Sequence, residues 1–278
     1  MYLFRPFSVL VLLLLWSAPA VAHGDLDEQI EEATKQIQIN PDSADLYFYR
    51  GKLRYQHEEF ATSLTDLVHA HKLGFDEIEL DYFSAKVHFA LQDFEAALQS
   101  IRSILTLIPH DVTALKIKAQ ILHASGSFED AAETHGMVIK HSIRTFPENY
   151  LAAAKAWLDS KVVGAVDSAL MLLDQGIYVL GPTYTLIQRK KEIYVAQGEL
   201  TNAMIEQQKV IVLSQRKEMP LFGAAEIALM MGDVDQARRY LLESRSAILK
   251  LPSEILKSVA MQTLDRQSRI FLTELNSY

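Results

Sequence analysis

Ser125–Glu133 reads "SGSFEDAAE". A glycine, an aromatic two places on and a small residue three places later separate two stretches whose apolar residues recur at helical spacing. Thirty-four residues upstream stands "QDFEAAL", Gln92–Leu98, and thirty-four further back "EEFATSL", Glu58–Leu64. Phe60, Phe94 and Phe128 share one phase. Ser63, Ala97 and Ala131 share a second, and Gly51, Ala85 and Ala119 a third. Repetition at this period decides the architecture before any single element is read.

The phase slips by four residues near "RTFPEN", Arg144–Asn149, or in the turn that follows. It then resumes with Gly164, Gly198 and Gly232 and with Ala169, Ala203 and Ala237. Six units result: 44–77, 78–111, 112–149, 150–183, 184–217 and 218–251. Leu98, Ile101, Leu105 and Ile108 form one apolar stripe, and Leu115, Ala119 and Leu122 another, so each unit is helix, turn, helix.

The quoted order has a physical reason. Gly126 ends a first helix in the left-handed conformation that glycine adopts without strain. Ser127 is expected to cap the second helix in a box with Asp130, as Asp233 is with Gln236. Phe128 plugs the turn. Ala119 and Ala131 are small because two helix axes cross there. Pro109, Pro182 and Pro252 fall where second helices stop, because proline cannot continue a helix. At the ends, "LDEQIEEATKQIQI" carries Leu26, Ile30, Ala33 and Ile37 on one stripe, an N-terminal cap over 23–43. Residues 252–278 form a C-terminal cap with Leu256, Val259, Leu264, Phe271 and Leu275 inward. A stack of repeats needs such ends to cover its apolar faces.

These phases, with Tyr47, Gly51 and Tyr55 in the first unit, resemble the tetratricopeptide repeat (TPR) family. The resemblance implies an all-α fold: a right-handed α-solenoid of helix-turn-helix repeats with terminal capping helices. Lys191 stands where the pattern expects a small residue, and the register around Trp157 is ambiguous. The resemblance also implies that first helices line a concave groove. It places Phe48, Tyr49, Lys52 and Tyr55 there from the first unit, Tyr82, Phe83, Lys86 and Phe89 from the second, and Lys116, Gln120 and His123 from the third. Aromatics interspersed with lysine suit an extended peptide or partner helix bearing apolar and acidic side chains. Tyr55 and Phe89 fit burial between units equally well; Tyr49 and Phe83 fit the groove. Phe48, Lys52 and Phe83 stand where the family's clamp for acidic C-termini has lysine and asparagines, so chaperone-tail binding does not carry over.

Composition narrows the function classes. The 278 residues are 49% hydrophobic, with 11 glycines, 8 prolines and a net charge of −8. A diffuse negative balance disfavours nucleic acid, which needs concentrated Lys and Arg. The absence of cysteine excludes thiol catalysis, disulfides and Cys-zinc sites. Arg5, the apolar run Ser8–Trp16 and Ala20-Val21-Ala22 read as a signal peptide over 1–22, cut before His23. The run is short for a membrane span, so no stable insertion is expected after cleavage. The expectation is an exported protein, periplasmic or secreted, that binds a protein or peptide partner, with no cofactor and no catalysis. Phosphate loops, HExxH and GxSxG are missing, and Ser214-x-x-Lys217 lacks the companion motifs of serine acyltransferases. No two of the nine histidines stand three or four apart; His69 and His71 point to nearly opposite sides of a helix, and His135 is expected to be a hydrogen-bonded core residue. The alternative function is copper or metal delivery through the imidazole and free amine of a mature N-terminal His23.

Overall fold

The structure, a computed structural model, describes residues 21–75 and 78–275. The signal segment lies outside the described residues apart from its last two positions, and the side chain of His23 lies outside them too. The described residues are helices and turns without strands. The chain divides into two compact units at Ile104/Leu105.

The first unit begins with α1 (Val21–Ile39), which buries Ala33 and Ile37 and packs on α2 (Ala44–Gln56). α2 packs on α3 (Phe60–Lys72), and α3 on α4 (Ile78–Ala90); α5 (Phe94–Leu107) follows. Phe48, Leu67, Ala70, Phe75, Leu80 and Val87 make one apolar cluster. The helix crossing is tight. A Cβ on Gly51 would sit 3.1 Å from a Leu67 methyl, and the Ser63 hydroxyl donates to the Gly51 carbonyl at 2.7 Å. Arg50 and Arg54 both grip the carboxylate of Asp66, at 2.7–2.8 Å, which is buried behind this crossing.

The second unit continues with α6 (Val112–Ala124), α7 (Phe128–His141), α8 (Pro147–Ser160), α9 (Ala165–Leu180), α10 (Tyr184–Ala196), α11 (Leu200–Leu213), α12 (Glu218–Met230) and α13 (Val234–Leu249). Each of these helices packs on the next, from α6 through α13. Ala119 and Ala131 are fully buried, and so are Ala169, Ala203, Ala225 and Ala237. α8 starts at Pro147, and this places Ala154, also fully buried, at the crossing instead of Trp157. Lys191 keeps its phase and is half-buried; burial lowers its pKa, with Glu192 and Glu226 opposing. The slip in period is spread over the linker before α8, α8 itself and the four-residue turn Lys161–Gly164.

The turns between helices repeat to atomic detail. Glu58, Gln92, Gly126, Gly198 and Gly232 all have φ between 61° and 85°. The next residue in each case donates its N–H to the carbonyl five back: Glu59 to Arg54, Asp93 to His88, Ser127 to Leu122, Glu199 to Tyr194 and Asp233 to Ala228, at 2.8–2.9 Å. This is the bond that closes a helix C-terminus. The first two turns adopt the same left-handed conformation with side chains that resist it. Asp233 accepts from the Gln236 N–H at 2.9 Å, as expected of a cap. Ser127 makes no side-chain cap bond, so the box with Asp130 does not form.

The C-terminal segment is two helices, not one. α14 (Ser253–Leu256) and α15 (Val259–Leu275) are separated by a break, and α15 packs on α13. Met261, Leu264 and Leu275 are buried against α12 and α13, and Phe271 stacks on Phe222 at 5.8 Å. Val259, expected inward, is 80% exposed because it opens α15 beyond the break.

Three substitutions are expected to change stability. Glu58→Gly and Gln92→Gly each relieve a left-handed side chain and are expected to stabilise by about 0.5–1 kcal/mol, net of the extra entropy of unfolded glycine. Urea midpoints rising for both variants would bear this out; a fall would mean that the turns are not strained. Ala119→Leu is expected to cost roughly 1–3 kcal/mol by overpacking, read in the same melts, where an unchanged midpoint would contradict the crossing described here.

Candidate partner-binding surface

α2 and α4 carry the expected groove residues of the first unit. Their phases follow from the repeat: Tyr49 with Phe83, and Lys52 with Lys86, one period apart. Phe83 is half-buried, its ring edge-on to Phe48 at 5.8 Å and to Tyr55 at 6.0 Å. Two ammonium groups approach the same ring. Lys52 Nζ is 5.2 Å from its centre and Lys86 Nζ 4.9 Å. A ring face attracts cations, so each lysine is held near the aromatic surface while its charge stays available to solvent. Lys52 also pairs with the exposed Glu79 at 2.7 Å.

The other expected groove residues divide by environment. Phe48 is 5% exposed and stacked on Phe75 at 4.3 Å; it is core, because its phase faces α3 and the Phe75 turn and not solvent. Tyr55 and Phe89 lie on the turn aromatics Phe60 and Phe94, at 5.7 and 6.1 Å, and His123 lies on Phe128 at 5.0 Å. One contact thus recurs in three consecutive repeats and gives these residues a structural task. Tyr49 is 46% exposed, and its hydroxyl lies 3.4 Å from Gln29 on α1. Tyr82 is half-buried. In the second unit, Lys116 and Gln120 are exposed on α6.

His123 stands in a charged cluster that the repeat pattern did not indicate. Its Nε2 is 2.7 Å from Asp159 Oδ2 and 3.1 Å from Lys155 Nζ, and Lys155 and Asp159 pair at 2.5 Å. Burial pushes the Asp159 carboxyl up, but the bonds from Lys155 and His123 outweigh it and leave it lowered. Lys155 and Asp159 belong to the repeat whose register was ambiguous. The only sequence signal was their spacing of four, which puts them on one helix face. His135 is half-buried and makes no hydrogen bond among the described residues, contrary to the sequence-based expectation.

Other expectations resolve simply. Ser214 bonds the Val210 carbonyl, and Lys217 bonds the carbonyls of Ile211 and Val212, so both close the end of α11. His69 packs on Tyr47 at 4.2 Å. Among the described residues, no three of His, Asp or Glu gather as a metal site, and no helix is long and apolar enough to cross a membrane.

No family model matches the chain, and no curated protein matches it. Solved structures do. The C-terminal part of a TPR repeat-containing protein from Cytophaga hutchinsonii superposes with TM-score 0.66 at 13% identity, covering 86% of this chain and 96% of that one. A tetratricopeptide repeat protein from Parabacteroides merdae gives TM-score 0.53 at 16% identity, covering 90% and 94%. This is the TPR fold. A structure of Naa15/Naa10 bound to HypK-THB shares it, with TM-score 0.58 at 13% identity over 91% of this chain and 40% of that one.

Within this TPR fold His135 generates a pH prediction. Burial, and then the nearby His123, push its pKa down from 6.5 to about 4. The unfolded chain therefore binds the proton first as pH falls. The contribution of neutral His135 is complete above pH 6.5 and is lost progressively from 6.5 toward 4. His135→Gln is expected to flatten the stability profile in that window. Urea melts at neutral and acid pH read the difference, and identical profiles for both proteins would reject it.

Proposed function

We propose that this is an exported, periplasmic TPR-fold protein that works by holding a partner polypeptide against the first helices of its N-terminal unit. The observation that carries this reading is the Phe83 ring flanked by Lys52 and Lys86. Apolar surface between cations is suited to a segment that alternates apolar and acidic side chains. The Lys52–Glu79 pair is exposed, and such pairs are worth about 0–1 kcal/mol, so a partner carboxylate can displace Glu79 at little cost. Tyr49 adds an exposed ring one repeat away. The same fold occurs in Naa15/Naa10 bound to HypK-THB, which supports a protein partner. Export is supported by the basic, apolar and small-residue order of residues 1–22.

The test is capture from periplasmic extract with the wild-type protein and with a Lys52→Glu, Lys86→Glu variant. A partner retained by the first, lost by the second and released by salt is expected, because exposed charges act through a screened field. Partner recovery that is equal for both would sink the reading. Phe83→Ala is expected to weaken capture as well, at a stability cost of about 1–2 kcal/mol, since the half-buried ring also supports Phe48 and Tyr55. N-terminal sequencing of exported material should begin at His23; a start at Met1 would contradict cleavage.

A further inference from the structure

A second surface, in the C-terminal unit, shows a feature that the packing of the repeats does not require. Three cavities recur there, each at the end of a second helix and each backed by a buried side chain of the first helix beside it. Tyr150 backs a cavity of about 570 Å³, Ile187 one of about 490 Å³ and Leu221 one of about 430 Å³. Ile187 and Leu221 stand one 34-residue repeat apart, and so do Val212 and Ser246, and Leu213 and Ala247, which line the same two cavities. Gln175, Lys209 and Glu243, one from each cavity, also stand 34 residues apart, so all three cavities share the register of the second helices.

The first cavity is held open by Gly136. This glycine lies inside α7, where it weakens the helix, yet a Cβ built on it would meet nothing within 4 Å. Close packing does not demand it. Its absent side chain leaves the cavity open in front of Tyr150, which is itself buried; among the described residues the Tyr150 hydroxyl meets Thr145 at 3.5 Å. Around the cavities the surface stays apolar: Val179 is 55% exposed, Tyr178 90% and Val212 76%.

Charge says what fits. Lys140 lines the first cavity and Arg144 lies in the adjoining linker; among the described residues neither makes a salt bridge. Lys209 lines the second, half-exposed and paired with the buried Glu206 at 3.0 Å, and Lys250 lines the third beside Lys217, whose ammonium bonds the end of α11. Three acids line the cavities: Asp174 and Glu218 are already paired, with Lys190 and Arg216, and Glu243 stands in the third, so the cationic character is strongest at the first. A ligand that meets the same cavity once per repeat must itself repeat its side chains, which a polypeptide does and a small molecule does not.

We propose that this edge of the C-terminal unit is a second docking surface, for an extended partner segment that drops apolar side chains into successive cavities and sets acidic ones against Lys140, Arg144 and Lys209. Such a segment is separate from the one assigned to α2 and α4.

The probe is a short fluorescein-labelled peptide alternating Glu with Leu and Phe, titrated into the purified protein and followed by fluorescence anisotropy. Binding is expected, and a counterpart with Lys in place of Glu should not bind. Gly136→Leu fills the first cavity with a better helix former. It should weaken the peptide by about fivefold or more, about 1 kcal/mol, while the melting temperature holds or rises. Val212→Glu, at an exposed position of the second cavity, should weaken it similarly without affecting the fold. All of these titrations are made in the Lys52→Glu, Lys86→Glu background, where the surface of α2 and α4 no longer takes an acidic segment, so that failure of this proposal and failure of the preceding one are read separately. No binding of the acidic peptide, equal binding of the basic one, or insensitivity to both Gly136→Leu and Val212→Glu would overturn the proposal. So would self-association in sedimentation that Val212→Glu abolishes, because the surface would then serve a second copy of the chain.

Discussion

Paired helices approach closely where at least one of them carries no more than a methyl group or a hydroxyl, and the rest of the fold is arranged around that limit. Gly51 against Leu67, Ser63 against the Gly51 carbonyl and the fully buried alanines 85, 97, 119, 131, 154, 169, 203, 225 and 237 sit at the crossings. Once the backbones are this close, larger side chains a turn away interlock, and the turn between the helices must be short. That brings the left-handed residue, the N–H bond to the carbonyl five back and the plugging aromatic into fixed relation. Tyr55 on Phe60, Phe89 on Phe94 and His123 on Phe128 express the same relation three times. Gly176 shows how narrow the tolerance is: a Cβ there would stand 2.8 Å from the Tyr150 ring.

Much of this was legible because it repeats. Phe60, Phe94 and Phe128, with the small residues three places on, give the period, and the all-α TPR fold follows. Glu58 and Gln92 were not legible as left-handed residues. Nothing in a glutamate or a glutamine announces that conformation; only their phase with Gly126 does. Ser127 looked like a cap and is not one, since a suitable side chain does not compel the rotamer that makes the bond. Trp157 obscured the fourth repeat because the insertion moved Ala154 into the crossing.

The candidate site was less legible, for a related reason. Phase along a helix tells which side a residue faces, but not whether a neighbouring turn covers that side. Phe48 and Tyr49 are adjacent in sequence, yet one is under Phe75 and the other is open to solvent. The Lys52–Glu79 pair and the His123–Asp159–Lys155 cluster join different repeats, and no spacing in a single unit encodes them. The cavities of the C-terminal unit are spaces, and a sequence shows only the glycine that leaves one empty.

In the C-terminal unit the helices from α6 to α13 each rest on their neighbours along the chain, which bears on how the chain acquires its structure. Native neighbours are also neighbours along the polypeptide, so little loop-closure entropy opposes their meeting, and chains of low contact order fold fast. A segment emerging end-first from a ribosome or a translocation pore can dock its helices one after another without waiting for a distant partner. Assembly and fraying then proceed along the same line, with the outermost helices the last to be protected from amide exchange if folding starts in the middle, and the first to be released.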